Sequence, residues 1–155
     1  MKKYVIGVDG GNTKTDYFLF DTDGNFIDHI KDGTCSHEHV GYDGAEQILN
    51  AKINELTSRN HISDADIEAG AFGLAGIDIK PQLNEFIGIM ERMKSNSRLK
   101  KYAVDNDSFL GIFAGTSKGY GICSINGTGT VSGGVDPFGN RHQTSGRNDL
   151  ISNGF

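Results

Sequence analysis

The chain has 155 residues, enough for one domain or for one domain and part of another, and 36% of them are hydrophobic, which permits a buried core. A net charge of −5 without a basic patch argues against nucleic-acid binding, and no apolar stretch is long enough to span a membrane. Cys35 and Cys123 lack metal-ligand spacing, and the first residues lead into a strand pattern rather than a signal peptide. We therefore expect free thiols and a cytoplasmic location.

A polar turn between two apolar runs opens the chain. Tyr4–Asp9 predicts a buried strand that carries Asp9 to its end, and Asp16–Phe20 predicts the returning strand. Gly10 and Gly11 leave the backbone bare, so that a phosphate could approach the N–H groups of the turn, and Asp9 could hold Mg²⁺. An amide, two hydroxyls and a lysine complete the turn: Asn12, Thr13, Lys14 and Thr15. The alternative is a tight hairpin that binds nothing.

A third strand and a helix follow. Asp21–Asn25 predicts a turn and Phe26–Ile30 a strand, which completes an antiparallel meander. The polar segment 31–41, with His37 and His39, predicts a loop. A helix is expected from about Asp43, which would cap it, with a buried stripe of Ala45, Ile48, Leu49, Ile53 and Leu56.

Two strand–helix units come next. Ile67–Leu74 predicts a strand that ends in a glycine-containing connection, Gly73–Asp78, which could line a substrate cleft or merely join two elements. Tyr102–Val104 predicts a short strand. The helix after each strand has its own apolar stripe, namely Leu83, Phe86, Ile87 and Met90, and then Phe109, Leu110 and Phe113. The order βββαβαβα predicts a mixed five-stranded sheet flanked by helices, in a domain of residues 1–117.

The opening pattern then recurs. Tyr120–Ile125 and Val131–Val135 predict a hairpin around the turn Asn126–Thr130, and the pattern D-x-x-G-N of residues 21–25 returns at 136–140. We interpret 118–155 as the opening β-hairpins of a second, truncated domain. Two hairpins that arose from glycine-rich composition are the alternative. Uncovered strands would expose apolar residues, so we expect a homodimer or another association through this part.

Asp107 is the candidate catalytic residue. It follows a short strand, so its carboxylate is expected near Asp9 at the same edge of the sheet. Two carboxylates there could divide phosphoryl transfer, one organising Mg²⁺ and the other accepting the proton of an attacking hydroxyl. The alternative is that Asp105 or Asp107 only caps the following helix.

Together these residues resemble the sugar-kinase, heat-shock-protein-70 and actin superfamily, and most closely its N-acetylglucosamine kinase branch, which is grouped with BadF/BadG-type ATPases. The matching motifs are Asp9–Thr15, Gly73–Gly76, Asn106–Asp107 and Asn126–Thr130. The resemblance implies a ribonuclease H-like fold, ATP with Mg²⁺, and a cleft between two domains. It also implies that Asp107 is the general base and that Gly127, Thr128, Gly129 and Thr130 form a second phosphate motif. The sugar contacts that it implies are Ser36, His37, Gly76, Asp107, Thr128 and Gly129.

Some positions depart from the family pattern. His37 stands where the sugar-contacting loop carries asparagine, and the residues after Thr144 lack the glycine-rich motifs of sugar kinases. The expected function is an ATP-dependent kinase for N-acetylglucosamine or a related hexosamine, represented by an N-terminal part that is inactive alone. One alternative is an ATPase activator of a 2-hydroxyacyl-CoA dehydratase, which would need cysteines for a bridging iron–sulfur cluster. Another is a remnant that binds sugar or nucleotide without catalysis.

Overall fold

The computed structural model describes residues 2–96, 98–126 and 130–144. Within these ranges the chain forms eight strands, three helices and a 3-10 turn at Asp64–Asp66. The strands are β1 (Tyr4–Gly10), β2 (Lys14–Asp21), β3 (Phe26–Gly33), β4 (Ile67–Leu74), β5 (Lys101–Asp105), β6 (Gly121–Asn126), β7 (Thr130–Val135) and β8 (Arg141–Thr144). The helices are α1 (His37–Arg59), α2 (Lys80–Ser95) and α3 (Asp107–Gly115). None of these helices is long and apolar enough to cross a membrane.

The first five strands form one mixed sheet in the order β3-β2-β1-β4-β5. β1 pairs antiparallel with β2 and parallel with β4, and β4 pairs parallel with β5. This arrangement confirms the predicted βββαβαβα order. Because β1, β4 and β5 run in the same direction, their carboxyl ends meet at one edge of the sheet, which is where ligands bind in open α/β sheets.

Helices α1 and α2 cover one face of this sheet. Their apolar stripes pack on the side chains that alternate along the strands, as the period of two requires. The predicted stripe of α1 is confirmed, since Ile48 packs at the edge of the core and its other four members are buried. The larger buried side chains of this core include Ile6, Tyr17, Leu19, Leu49, Ile53, Phe72, Phe86 and Met90.

Helix α3 packs on the opposite face and also on the second sheet. An added Cβ at Gly73 would lie 2.7 Å from Leu110 Cδ2, so a side chain on β4 at this position would displace the helix. On its other side α3 meets the sheet β6-β7-β8, where an added Cβ at Gly133 would lie 2.7 Å from the hydroxyl of Ser108. Phe109, Ile112 and Val135 form a small core between them. The helix that begins with Asp107 is therefore held by both sheets.

The two D-x-x-G-N turns have the same hydrogen bonds. In each, the aspartate N–H donates to the asparagine carbonyl at 3.0 Å, and the aspartate Oδ1 accepts from the asparagine N–H at 2.8 Å. Gly24 and Gly139 have φ of 88° and 84°, a region that favours glycine. The matching turns and the two antiparallel meanders support the internal repeat. The domain boundary at residue 117 stays a prediction.

Asp21 makes the first of these turns sensitive to acid. The side-chain amide of Asn25, its backbone N–H and Lys2 at 3.0 Å favour the carboxylate and lower the pKa of Asp21 to about 2. Because this pKa lies below the ordinary value of 3.8, the stabilisation is present above that value and is lost as the pH falls toward 2. We expect Asp21→Asn to lower the melting temperature at neutral pH, and the difference from wild type to shrink on acidification, as measured by circular dichroism. A difference that stays constant with pH would contradict a role for the ionised carboxylate.

The segment 31–41 is not one loop, and this prediction was wrong. β3 continues to Gly33 because Lys14, at the start of β2, pairs with it. α1 begins at His37 with Ser36 as its N-cap, but its long part starts only after Gly41, close to the predicted start at about Asp43. Gly41 interrupts the helix with φ of 70° and ψ of 171°, and the chain bends there.

Two residues of the predicted stripes face outward. Ile87 is 38% exposed and Phe113 is 45% exposed, because the buried faces of their helices are centred elsewhere, on Ile89 and Met93 in α2 and on Ser108 and Ile112 in α3. In the second sheet, Ile122 is 86% exposed, as expected for a strand without a covering layer. The predicted association through this part stays a prediction.

Candidate active-site cleft

The turn between β1 and β2 is closed by its own backbone. The N–H of Gly11 donates to the carbonyl of Lys14 at 2.9 Å, and the hydroxyl of Thr34 donates to the carbonyl of Gly11 at 2.8 Å. Gly10 lies beneath the turn, where an added Cβ would be 2.7 Å from Leu74 Cδ2 and 3.0 Å from Cys35 Sγ. Glycine is therefore required there by close packing.

A cleft of about 390 Å³ lies between the carboxyl edge of the first sheet and the hairpin of β6 and β7. From the first sheet and its connections come Asp9, Gly11, Asn12, Thr13, Lys14, Asp16, Glu38, Ala75, Gly76, Asp78, Asn106 and Asp107. From the second sheet come Ile125, Asn126, Thr130 and Val131. The turn 11–14 and the two described ends of the second turn, Asn126 and Thr130, thus border one space, and Gly127, Thr128 and Gly129 lie outside the described residues.

Asp107 faces this cleft and is free of the capping role. The N-cap of α3 is Asn106, whose side-chain oxygen accepts from the N–H of Ser108 at 2.9 Å. Burial raises the pKa of Asp107 to about 6, and repulsion from Asp9 and Asp78 adds to the rise, while the N–H of Ser108 opposes it. A carboxylate with such a pKa can accept a proton near neutral pH, as a general base must.

Asp9 and Asp16 stand opposite each other on β1 and β2, so their carboxylates share one face of the sheet. Burial raises the pKa of Asp16, but hydrogen bonds from His29 Nε2 at 2.8 Å and from Lys14 outweigh it, and the pKa of Asp16 is lowered. Desolvation by the cleft walls and repulsion from Asp16 raise the pKa of Asp9, and Lys14 lowers it. Asp16 is therefore the more firmly ionised of the pair.

Of the sequence-predicted site residues that the structure describes, four do not line the cleft. Thr15 is fully buried, and its hydroxyl accepts from the N–H of Cys35 at 3.0 Å, so the prediction that it donates to phosphate is corrected. Gly10 is buried beside it. The ring of His37 lies against Gly76 and stacks on Tyr42 at 4.6 Å, and Ser36, the residue before it, is buried.

Sequence reasoning gave no role to two acidic residues of the cleft, Asp16 and Glu38. Asp16 follows from register, because the pairing of Gly10 with Thr15 places Asp9 opposite Asp16. The cleft is also lined by Asn106, of the motif 106–107, and by Asp78, at the end of the connection 73–78 that was expected to line a cleft or to join two elements. The place of Asp78 beyond the carboxyl end of a parallel strand is a usable signal, since such ends converge.

No group of three or more His, Cys, Asp or Glu side chains is arranged to hold a metal ion in the described ranges. Magnesium at nucleotide sites is usually held by one or two carboxylates together with phosphate oxygens and water. Asp9, which is exposed to the cleft, fits such a role without a protein cage.

The sequence of the chain is similar to those of known proteins. The profile of the BadF/BadG/BcrA/BcrD ATPase family matches residues 6–154. The N-acetyl-D-glucosamine kinase of Dictyostelium discoideum is 26% identical over 161 aligned positions, which cover 94% of this chain and 46% of that kinase. The N-acetylmuramic acid/N-acetylglucosamine kinase of Clostridium acetobutylicum is 28% identical over 150 positions, which cover 96% of this chain and 48% of that kinase.

Solved structures agree in fold. A protein from Chromobacterium violaceum, provisionally named an N-acetylglucosamine kinase, superposes with a TM-score of 0.67 at 21% identity over 92% of this chain and 48% of that chain. YeaZ from Pseudomonas aeruginosa superposes with a TM-score of 0.52 at 13% identity, over 92% of this chain and 65% of YeaZ. The chain spans slightly less than half the length of the two kinase relatives. Because the family profile matches nearly all of it, the chain belongs to the BadF/BadG/BcrA/BcrD ATPase family.

Proposed function

We propose that the protein is an ATP-dependent sugar kinase, in which this chain supplies the phosphate turn and the general base. The acceptor would be a hydroxyl of N-acetylglucosamine or of a related amino sugar, as the names of the two kinase relatives suggest. The observation that carries the proposal is the cleft, where Asp107, with a pKa of about 6, faces Asp9 and the turn 11–14.

In this proposal each part of the cleft has a separate task. Asp107 accepts the proton as the sugar oxygen attacks the γ-phosphorus, the bond from phosphorus to the bridging oxygen breaks, and ADP leaves. The turn residues Asn12, Thr13 and Lys14 bind the phosphates from one side, and Thr130 with the predicted motif 127–129 binds them from the other. Asp9 would hold Mg²⁺, which would neutralise part of the phosphate charge.

The sugar would enter beside Gly76, opposite the phosphate turn. His37 Nδ1, which lies against Gly76, and Ser36 Oγ are both buried without a hydrogen-bond partner in the described part of the chain. Buried polar atoms in this state are costly, so a small shift at the start of α1 that brought a sugar hydroxyl to them would satisfy both. This is the support for Ser36 and His37 as proposed substrate contacts.

A coupled assay of ADP release tests the proposal. It is run on the longest form of the protein that the gene encodes, with MgATP and with N-acetylglucosamine, N-acetylmuramic acid, glucose or no sugar. We expect ADP release that depends on an N-acetylated amino sugar. Release that is equal with and without sugar would favour an ATPase, and no phosphorylated sugar from any acceptor would overturn the kinase. We expect no turnover from residues 1–155 alone, because they span less than half the length of the two kinase relatives.

The ATPase-activator alternative gains no support from the cysteines. Cys35 is 1% exposed beneath the phosphate turn. Cys123 is half-buried, and its sulfur lies 2.5 Å from where a Cβ on Gly111 would be, so it faces α3. A cluster that bridges two subunits needs thiolates at a shared surface, and neither residue provides one.

A further inference from the structure

Two side chains of β8 reach across to the carboxyl edge of the first sheet. Arg141 donates to Asp105 Oδ2, and Gln143 donates to Asp78 Oδ1 at 2.6 Å. Asp105 is the last residue of β5, two positions before α3 begins at Asp107. Asp78 lies in the connection that follows β4. The third strand of the second sheet is thereby fastened to two carboxylates of the first.

Both contacts converge on Asn106, the residue before Asp107. Asp105 uses its other oxygen, Oδ1, to accept from the backbone N–H of Asn106 at 2.9 Å. Asp78 Oδ1, which accepts from Gln143, also accepts from the side-chain amide of Asn106 at 3.5 Å. Asn106 is 2% exposed and caps α3 through Ser108. The start of the helix that presents Asp107 is therefore connected to β8 by two short hydrogen-bonded paths.

The guanidinium of Arg141 is itself held in place by α3. Its carbon lies 5.1 Å from the ring centre of Phe109 and 5.9 Å from that of Phe113. Stacking on aromatic rings restricts a long side chain, and a planar guanidinium can stack and bind a carboxylate at once, whereas a lysine ammonium cannot do both equally well.

We propose that Arg141 and Gln143 are positioning residues that fix Asp107 in the cleft through Asp105, Asp78 and Asn106. The inference rests on the proposed kinase function, because it assigns these residues to the placement of its base. In this arrangement the second sheet does more than border the cleft: its edge strand sets where the base stands relative to the phosphate turn. Neither Arg141 nor Gln143 touches the reacting atoms.

Arg141→Met tests the proposal, with Arg92→Met as its matched control. Arg92 also bridges two elements through a carboxylate, Glu46 of α1, but neither residue of this pair lines the cleft. A misplaced catalytic group costs up to about 100-fold in rate. We therefore expect Arg141→Met to lower kcat by about 10- to 100-fold with KM for ATP unchanged, Arg141→Lys to recover part of it, and Arg92→Met to keep the wild-type kcat.

A double-mutant cycle and hydrogen exchange separate this role from a general loss of stability. Asp105→Asn should lower kcat as Arg141→Met does, and the double variant should be no slower than either single one, because both break the same path. Amide exchange at Asn106 and Ser108 should accelerate in Arg141→Met but not in Arg92→Met. The proposal would be overturned if the losses of kcat in Arg141→Met and Asp105→Asn added up in the double variant. It would also be overturned if Arg141→Met had the same amide exchange and the same kcat as the control Arg92→Met. If the wild type transfers no phosphate, the kinase function fails, while the exchange data still decide whether β8 holds the start of α3.

Discussion

Asp107→Asn is expected to lower kcat by about 10²- to 10⁴-fold, the usual contribution of a general base. Asparagine has nearly the same shape, so the packing of α3 is retained, but it cannot accept the proton of the sugar hydroxyl. ATP binding should persist, because the phosphate turn lies on β1 and β2. Steady-state kinetics of sugar phosphorylation and calorimetric titration with MgATP measure the two effects separately. Asp43→Asn, at an exposed position on α1, is the control and should match wild type.

The pH dependence gives this prediction a second test. Since Asp107 must be ionised to act, kcat/KM of the wild type should fall as the pH drops through about 6. The folded-state pKa lies above the ordinary value of 3.8, so ionisation of Asp107 costs stability at neutral pH. The asparagine variant should therefore melt at the same temperature as wild type or higher at pH 7.5, which is well above the pKa of about 6. A lower melting temperature, or an equal loss of transfer and of ATP binding, would instead mean that Asp107 is structural.

The predictions that succeeded depended on periodicity and on the convergence of strand ends. Apolar runs identified β1 and β2, and the stripe from Ala45 to Leu56 identified α1. Once β1 and β5 were recognised as parallel strands of one sheet, Asp9 and Asp107 had to approach the same edge. The fold and the shared cleft followed from these few assignments.

What failed depended on individual side chains in three dimensions. Thr15 belongs to the phosphate turn in sequence, but strand alternation turns its hydroxyl into the core, toward Cys35. The bend at Gly41 depends on a single φ of 70°, which no pattern of polarity reveals. The path from Arg141 to Asp105 joins residues 36 positions apart across two sheets, and exposed charges on a short strand carry no signal for such a partner.

Gly111→Ala is expected to destabilise the protein by about 1–3 kcal/mol, the usual cost of overpacking. The added Cβ would lie 2.5 Å from Cys123 Sγ, so α3 and β6 would have to move apart. Such a change in the middle of a helix normally stabilises it by up to about 1 kcal/mol, because alanine is the better helix former. A loss of stability would therefore show that α3 and β6 are in contact, whereas a gain would show that they are not. Urea unfolding measures the change in the free energy of unfolding.

Removing the sulfur of Cys123 should reverse the sign of the stability change that Gly111→Ala causes. In a Cys123→Ala background the nearest remaining atom is the Cβ of residue 123 at 3.5 Å, an ordinary contact, so Gly111→Ala should become neutral or stabilising. Gly115→Ala, on the last residue of the same helix with nothing within 4 Å of its Cβ position, should be neutral in both backgrounds. An equal cost of Gly111→Ala with and without the sulfur would mean that α3 is not packed on β6 in this way. Because α3 begins with Asp107, the base would then lose one of the two sheets that hold its helix.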